Sequence, residues 1–216
     1  MTRNLIVLIV FLLTGMLFRL SGQSGSLPQY LFAEFAECDI KMKSGQTQKQ
    51  EMNYNTVTEK MVFTRDNKYY DLTNPEMVDT IILHNCRFVP AGKAFYEVLV
   101  SGPVSLFIQH KGSLMSAGKQ VGYGGTSQVA SATYINNIEL DGLQVNLRLP
   151  DNYIVNPSPV CWIRNENKWF SFSGEKQFLK IFPEKENQLK GFIKGNRIKF
   201  DKPENLTRLV KYCNTL

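Results

Sequence analysis

The sequence predicts a mainly β protein: an antiparallel barrel-like meander or sandwich with a C-terminal appendage of two or three short amphipathic helices. Two observations lead to this fold class. Between residues 30 and 172, short strand-like runs alternate with turn signals roughly every 8–12 residues, which is typical of antiparallel all-β domains. After Phe172 the apolar residues change to helical spacing.

The first 22 residues form a unit of their own. Arg3 precedes an uncharged apolar run of 14 residues, and small polar residues follow it. This is the layout of a secretory signal peptide, and the run is shorter than the roughly 20 residues that a membrane span needs. We therefore expect cleavage after Gly22 and an exported protein, periplasmic or at the cell surface, with no transmembrane span after cleavage. An uncleaved N-terminal anchor is the alternative.

Residues 23–172 are predicted to form the β-rich domain. The segment "KMVFTRDNKYYDL" indicates a hairpin that turns at Asp66-Asn67, and "VCWIRNENKWFSF" indicates another that turns within "NENK". The Gly/Ser-rich residues 112–131 predict an exposed loop. Within that loop, "GYGGTS" (Gly122–Ser127) lacks the residue spacing of a phosphate-binding loop.

Residues 173–216 are predicted to form the helical appendage. Pro183 ends a first helix and opens a second, which stops at Gly195, and Asp201 is a candidate N-cap for a third. Each helix is shorter than the roughly 12–15 residues needed for stability alone, so all must pack on the β portion or on each other. Their apolar stripes are Phe178, Leu179 and Phe182; Leu189, Phe192 and Ile193; and Leu206, Leu209, Val210 and Cys213.

The positive charge is concentrated in the helical appendage. The chain carries a net charge of +6, yet residues 23–172 hold 13 basic and 14 acidic side chains, against 10 basic and 5 acidic in residues 173–216. Lysines on solvated helix faces explain such a distribution, and an anionic partner is the alternative. We expect no nucleic-acid partner, because an exported protein rarely meets one.

The four cysteines, Cys38, Cys86, Cys161 and Cys213, all follow the predicted signal peptide. In an oxidising compartment they can form two disulfides, with three connectivities open. Cys38–Cys86 and Cys161–Cys213 are the preferred pairs. Cys213 also fits a buried thiol, since it lies on an apolar stripe.

The segment "VDTIILHNCRFVP" places His84 two residues before Cys86. In an extended strand the two side chains would share a face, as half of a zinc site that Cys38 and His110 would complete, or as a Cys–His nucleophilic pair. We expect instead a cysteine in a sheet and a polar histidine at a strand end. No metal or cofactor is expected.

Other catalytic patterns are weak. Two S-x-x-K matches, Ser116–Lys119 and Ser173–Lys176, lack the companion motifs of penicillin-binding enzymes and are read as chance. Candidate hydrolytic carboxylates are scattered over different predicted strands, so a catalytic pair would form only in the fold. They are Asp79, Glu97, Glu139 and Asp141.

Aromatic residues give a candidate ligand surface. Tyr69, Tyr70, Trp162 and Trp169 are placed to line a concave surface for a sugar or a peptide. The expected function is a non-catalytic binding, structural or interaction module of the cell envelope, whose partner is an unknown envelope protein or glycan. The alternative is an envelope hydrolase acting on glycan or peptide.

Several segments together resemble exported proteins of the Bacteroidota that have no assigned activity. The resemblance spans nearly the whole chain after the signal peptide, and it implies the envelope of a Gram-negative bacterium and a β-rich body with a helical tail. It implies no catalytic residues. The segments are "YLFAEF", "MNYNTVTEKMVF", "VDTIILHNCRFVP", "FYEVL", "QHKG", "YGGTSQ", "FPEKENQLKGFIKGNRIKF" and "NLTRLVKYCN".

Overall fold

A computed structural model describes residues 27–116, 119–121, 125–127 and 153–216. The predicted signal peptide lies outside these residues, and so do Glu139 and Asp141. Within them, the prediction of a mainly β, antiparallel fold followed by short helices is confirmed.

Ten strands form one antiparallel sheet, which is not closed into a barrel. The strands are Ala36–Met42 (β1), Thr47–Asn55 (β2), Lys60–Arg65 (β3), Lys68–Asp71 (β4), Val78–Leu83 (β5), Cys86–Ala91 (β6), Ala94–Val100 (β7), Val104–Gln109 (β8), Val160–Asn165 (β13) and Lys168–Phe172 (β14). Their order in the sheet is β14-β13-β8-β7-β6-β5-β1-β2-β3-β4. Most neighbours in the sheet are also neighbours in the chain, and the two exceptions are β1 against β5 and β8 against β13.

Four further strands form two small two-stranded sheets. Gly112–Ser116 (β9) pairs with Tyr153–Pro157 (β12), and Lys119–Val121 (β10) pairs with Gly125–Ser127 (β11). The described part of residues 112–131 is therefore mostly strand, and the predicted loop is wrong there. The Gly/Ser-rich composition indicated a loop whose backbone groups would bond to water. In the structure these groups instead form hydrogen bonds between paired strands.

Three hairpins of the main sheet turn on two residues that both have positive φ, the geometry of a type I′ turn. Asp66-Asn67 joins β3 to β4 and Glu166-Asn167 joins β13 to β14, as the sequence predicts. His84-Asn85 joins β5 to β6 in the same way. Asparagine is the second turn residue each time, and it tolerates the left-handed conformation better than most residues.

Two apolar clusters share the inner face of the sheet. The first lies under β1 to β7 and is built around Tyr54, Ile81, Phe88 and Phe95. The second lies between the other end of the sheet and the helices, with Leu106, Ile163 and Phe178 among its members. Every residue of β8 is buried, so this strand is covered on both faces.

The appendage consists of Glu175–Ile181 (α1), Glu186–Gly195 (α2) and Pro203–Cys213 (α3). The predicted stripe of α3 is wholly buried, and α3 packs on β7 and β8. Lys202, not Asp201, occupies the N-cap position of α3, without a side-chain capping bond, so the capping prediction is wrong. No helix in the described residues has the length and apolar character needed to cross a membrane.

The Asn53 side chain holds the N-terminal segment to β2. Its Oδ1 accepts hydrogen bonds from the backbone N–H of Phe32 (3.2 Å) and Tyr54 (2.8 Å). Its Nδ2 donates to the backbone oxygens of Phe32 (2.8 Å) and Glu34 (3.1 Å). Only 1% of Asn53 is exposed, so these bonds replace all of its contact with water.

Asn214 plays a similar part at the other end of the chain. Its amide accepts from the N–H of Val104 and donates to the carbonyl oxygen of Val104, both at 2.8 Å. The side chain thus mimics a neighbouring strand at the start of β8, and it fixes the end of α3 to the sheet.

Candidate functional site

All four cysteines are free thiols, and the predicted disulfides are not present. Cys38 lies on β1 and Cys86 on β6, with β5 between them. Two strand spacings separate them by about 10 Å, beyond the roughly 7 Å between Cα atoms that a disulfide can bridge. Cys161 and Cys213 both contact the second apolar cluster, and burial raises the pKa of each thiol.

His84 and Cys86 do not stand side by side, because no extended strand runs through both. Cys86 begins a strand and His84 directly follows β5, in agreement with the expected cysteine in a sheet and histidine at a strand end. His84 (φ 49°) and Asn85 (φ 63°) form the turn, and β6 begins only at Cys86. The imidazole of His84 packs on Phe32, with 4.4 Å between ring centroids. No group of three or more His, Cys, Asp or Glu in the described part of the chain is placed to hold a metal ion.

Cys86 is instead linked to the other histidine, His110, because the carboxylate of Glu97 contacts both side chains. Strands β6, β7 and β8 are adjacent, and their register brings the three side chains together on the inner face. The Glu97 carboxylate lies 2.7 Å from His110 Nε2 and accepts a hydrogen bond from the Cys86 thiol. The imidazole of His110 packs against the rings of Tyr54 and Phe88.

This group holds the thiol in its protonated form. Burial, together with the hydrogen bond to Glu97 and its negative charge, raises the pKa of Cys86 to about 11. Burial also acts to raise the pKa of Glu97, but the bonds from His110 and Cys86 outweigh it and bring that pKa below the ordinary 4.5. A nucleophilic cysteine needs a lowered pKa and a base that accepts its proton. Here the thiol donates to a carboxylate, so the group is a half-buried polar contact that joins three strands.

Replacing Glu97 by glutamine will lower the free energy of unfolding by about 2 kcal/mol near pH 7, because charge-assisted hydrogen bonds are lost. The pKa of Glu97 is depressed by folding, so its contribution is present above the unfolded pKa and is lost as the pH falls through the folded value. Urea unfolding between about pH 7 and pH 3 will therefore show a difference that shrinks with acid. Glu76→Gln, at an exposed site, is the control. A difference independent of pH would contradict this.

The outer face of the sheet carries four neighbouring aromatic side chains, Tyr96, Phe107, Trp162 and Trp169, which we call the aromatic patch. Trp162 stacks on Tyr96 with centroids 6.0 Å apart, and its Nε1 donates to Gln109 Oε1 at 2.9 Å. Trp169 lies 4.7 Å from Phe107 and 6.5 Å from Trp162 between centroids, and it is 41% exposed.

The structure thus brings together two of the four predicted ligand residues and places the other two elsewhere. Tyr69 and Tyr70 lie on β4, at the opposite edge of the sheet from Trp169. Tyr69 packs against Phe35, and Tyr70 stacks on Phe63. Tyr96 and Phe107, the other two members of the aromatic patch, were not among the ligand residues predicted from the sequence. Strand alternation in "AFYEV" and "VSLFIQ" allows both to face outward, but only the pairing of β8 with β13 brings them to the tryptophans.

An open groove of about 250 Å³ crosses the outer face beside the aromatic patch, from β5 to β14, and we call it the outer groove. Its floor is apolar, with Val89, Val98 and Phe107. Its polar side chains are three cations, one carboxylate and two hydroxyls: Lys43, Arg87, Arg164, Asp79, Ser101 and Ser105.

The two arginines of the groove are held in place. The Arg164 guanidinium lies 5.5 Å from the ring centroid of Phe107 and 5.8 Å from that of Trp169, within the range of cation–π attraction. Arg87 donates from Nη2 to the hydroxyl of Ser101. Each thus presents an ordered positive charge at the surface of the groove.

The helical appendage carries a second, more open cleft between α1 and α2. It is lined by three lysines, two glutamates and Leu179. Lys190 pairs with Glu186 one helical turn away, at 2.5 Å. The other basic side chains of the appendage are mostly exposed, as on an ordinary solvated helix face.

No protein-family model, curated protein or solved structure matches this chain. The site is therefore interpreted from the chain's own residues and their geometry.

Proposed function

We propose that the protein is an exported, non-catalytic binding module of the cell envelope that binds a glycan along its outer groove. The observation that carries the proposal is the aromatic patch, with Trp169 exposed beside a groove lined by hydroxyl and charged side chains. The signal-peptide layout of residues 1–22 and the resemblance to exported Bacteroidota proteins support the location.

The chemistry of the groove favours a glycan over a protein partner. The C–H face of a sugar ring packs well on an indole, while its hydroxyls bond to short polar side chains such as the exposed Ser101. Protein partners draw most of their affinity from anchor side chains that fill well-packed pockets. The outer groove is open and small, and it suits a chain of sugars lying across the strands.

The placement of the acidic, histidine and cysteine side chains favours a binding role over a catalytic one. Asp79 is the one carboxylate among the described residues that line the groove, whereas glycoside hydrolysis ordinarily requires a pair. The Cys86–Glu97–His110 group lies on the inner face of the sheet, and its thiol is protonated at neutral pH. Neither arrangement supplies an activated nucleophile to the groove.

Affinity electrophoresis of residues 23–216 in gels with soluble polysaccharides tests the proposal. We expect at least one of mannan, xylan, dextran, polygalacturonate and alginate to retard the protein. Trp169→Ala will weaken that binding by at least about tenfold, since removing a central aromatic contact typically costs 2 kcal/mol or more.

Tyr69→Ala, at the opposite sheet edge, is the matched aromatic control and will leave binding unchanged. Failure of every polysaccharide to retard the protein would overturn the proposed function. Unchanged binding by Trp169→Ala would remove the outer groove as its site.

A further inference from the structure

We propose that the outer groove selects an acidic glycan and that Arg87 and Arg164 bind its carboxylate groups. The inference rests on the proposed function and names the class of sugar that the same site takes.

Four of the six polar side chains of the groove form a row across four adjacent strands. Arg164 on β13 is paired directly with Ser105 on β8. Leu106, the next residue on β8, pairs with Val100 at the end of β7. Ser101 directly follows Val100, so it continues the row from β8 to β7. Ser101 in turn accepts a hydrogen bond from Arg87 on β6. The row therefore has an exposed guanidinium at each end, over three strand spacings, or about 14 Å. Between them the Ser101 hydroxyl is exposed, whereas Ser105 is 2% exposed and bonds to the backbone of Gly102.

Within residues 27–116 and 153–216, no carboxylate neutralises either guanidinium. In the described residues, no carboxylate oxygen lies within 4.0 Å of a guanidinium nitrogen of Arg87 or Arg164. Asp79 is the carboxylate in the described lining of the groove, and its Oδ2 lies 3.5 Å from Lys41 Nζ, with which it forms an ion pair. The groove therefore presents an excess of positive charge to its ligand.

A carboxylate fits these two positions better than a neutral hydroxyl does. A guanidinium offers a planar fork of N–H donors that matches the two oxygens of a carboxylate. Arg164 lies over Phe107 and Trp169, so its fork is ordered before the ligand arrives and less rotamer entropy is lost on binding. The aromatic patch supplies ring stacking to any sugar, while the arginines supply the selectivity for acidic ones.

Isothermal titration calorimetry with matched ligands tests this inference. The probes are hexamers of galacturonate and of mannuronate, each compared with its neutral methyl ester. We expect at least one acid form to bind at least about tenfold more tightly than its ester, a preference that falls at high salt because the charges are screened.

Substitutions assign the preference to the row. Arg87→Gln and Arg164→Lys will each weaken binding of the acid form about tenfold, since a charge-assisted or bidentate hydrogen bond is lost. Binding of the ester will change little in Arg87→Gln. Arg65→Gln is the control, because Arg65 lies on β3 near the other edge of the sheet and is largely exposed.

The outcomes separate this inference from the proposed function. Equal affinity for acid and ester would overturn the acidic selectivity and leave a glycan-binding protein. A preference that survives Arg87→Gln and Arg164→Lys would remove the row as its cause. Binding of neutral polysaccharides alone would likewise overturn the inference, whereas failure of every polysaccharide to bind would overturn the proposed function.

Discussion

Asn53→Asp will lower the free energy of unfolding by about 4 kcal/mol, because it places a buried charge against two carbonyl oxygens. The amide Nδ2 donates to the backbone oxygens of Phe32 and Glu34, and a carboxylate oxygen at that position can only accept. The replacement has nearly the same shape as the amide, so the loss comes from chemistry and not from a cavity. Urea unfolding followed by tryptophan fluorescence near neutral pH will measure it.

The effect will depend on pH and on position. Protonation of the introduced carboxylate restores one hydrogen-bond donor to the side chain, so the deficit will decrease in acid. Asn156→Asp is the matched control, because Asn156 is exposed on β12 and gains the same charge. A loss of less than 1 kcal/mol in Asn53→Asp would show that the four hydrogen bonds of this side chain do not anchor the N-terminal segment.

Local signals predicted the parts of the fold that depend on few residues. The turns at Asp66-Asn67 and Glu166-Asn167 require positive φ, which asparagine tolerates, and strand residues flank both. The α3 stripe of Leu206, Leu209, Val210 and Cys213 is buried as its spacing indicates. The N-cap of α3 was predicted wrongly, since a helix boundary depends on the local path of the chain as well as on residue type.

The order of strands in the sheet could not be predicted in the same way. The pairing of β1 with β5 and of β8 with β13 joins segments far apart in the chain, and no local pattern specifies them. Hydrophobic alternation tells which face a residue takes but not which strand lies beside it. The sequence therefore pointed to Trp162 and Trp169 as ligand residues but wrongly grouped them with Tyr69 and Tyr70.

The same limit explains the histidines. His84 is near Cys86 in the sequence, yet the two-residue turn reverses the chain between them. His110 is 24 positions from Cys86 in the chain, and it reaches the same carboxylate because β6, β7 and β8 are adjacent with a fixed register. Proximity in sequence raised a His84–Cys86 site only as the alternative to a sheet cysteine, while the three-dimensional group depends on two strand pairings.

Strand β8 connects the helical layer to the proposed binding face. Leu106 on its inner face belongs to the cluster that the helices cover, and Phe107 on its outer face lies beneath Trp169 and Arg164. Burial on both faces makes β8 a rigid support, because little space is left for either side to repack. We therefore expect the aromatic patch to depend on the helices, which pack on the opposite face of the sheet.

Leu209→Ala will show this dependence, with a loss of about 3–4 kcal/mol in the free energy of unfolding. Leu209 is 0% exposed in the cluster between α3 and the sheet, and truncation leaves a cavity there. Leu216→Ala is the matched control at a site that is 41% exposed, and it will cost less than about 0.5 kcal/mol.

Two signals will distinguish a shared core from an independent helical layer in the Leu209→Ala variant. Far-ultraviolet circular dichroism reports backbone structure including the helices, and fluorescence reports Trp162 and Trp169 on β13 and β14. Because Ile163 and Phe172 of the sheet pack in one cluster with Phe178 and Leu209 of the helices, both transitions will move to lower urea together. A fluorescence transition that stays at its wild-type midpoint while the helical signal shifts would mean that the helices unfold separately and do not support the binding face.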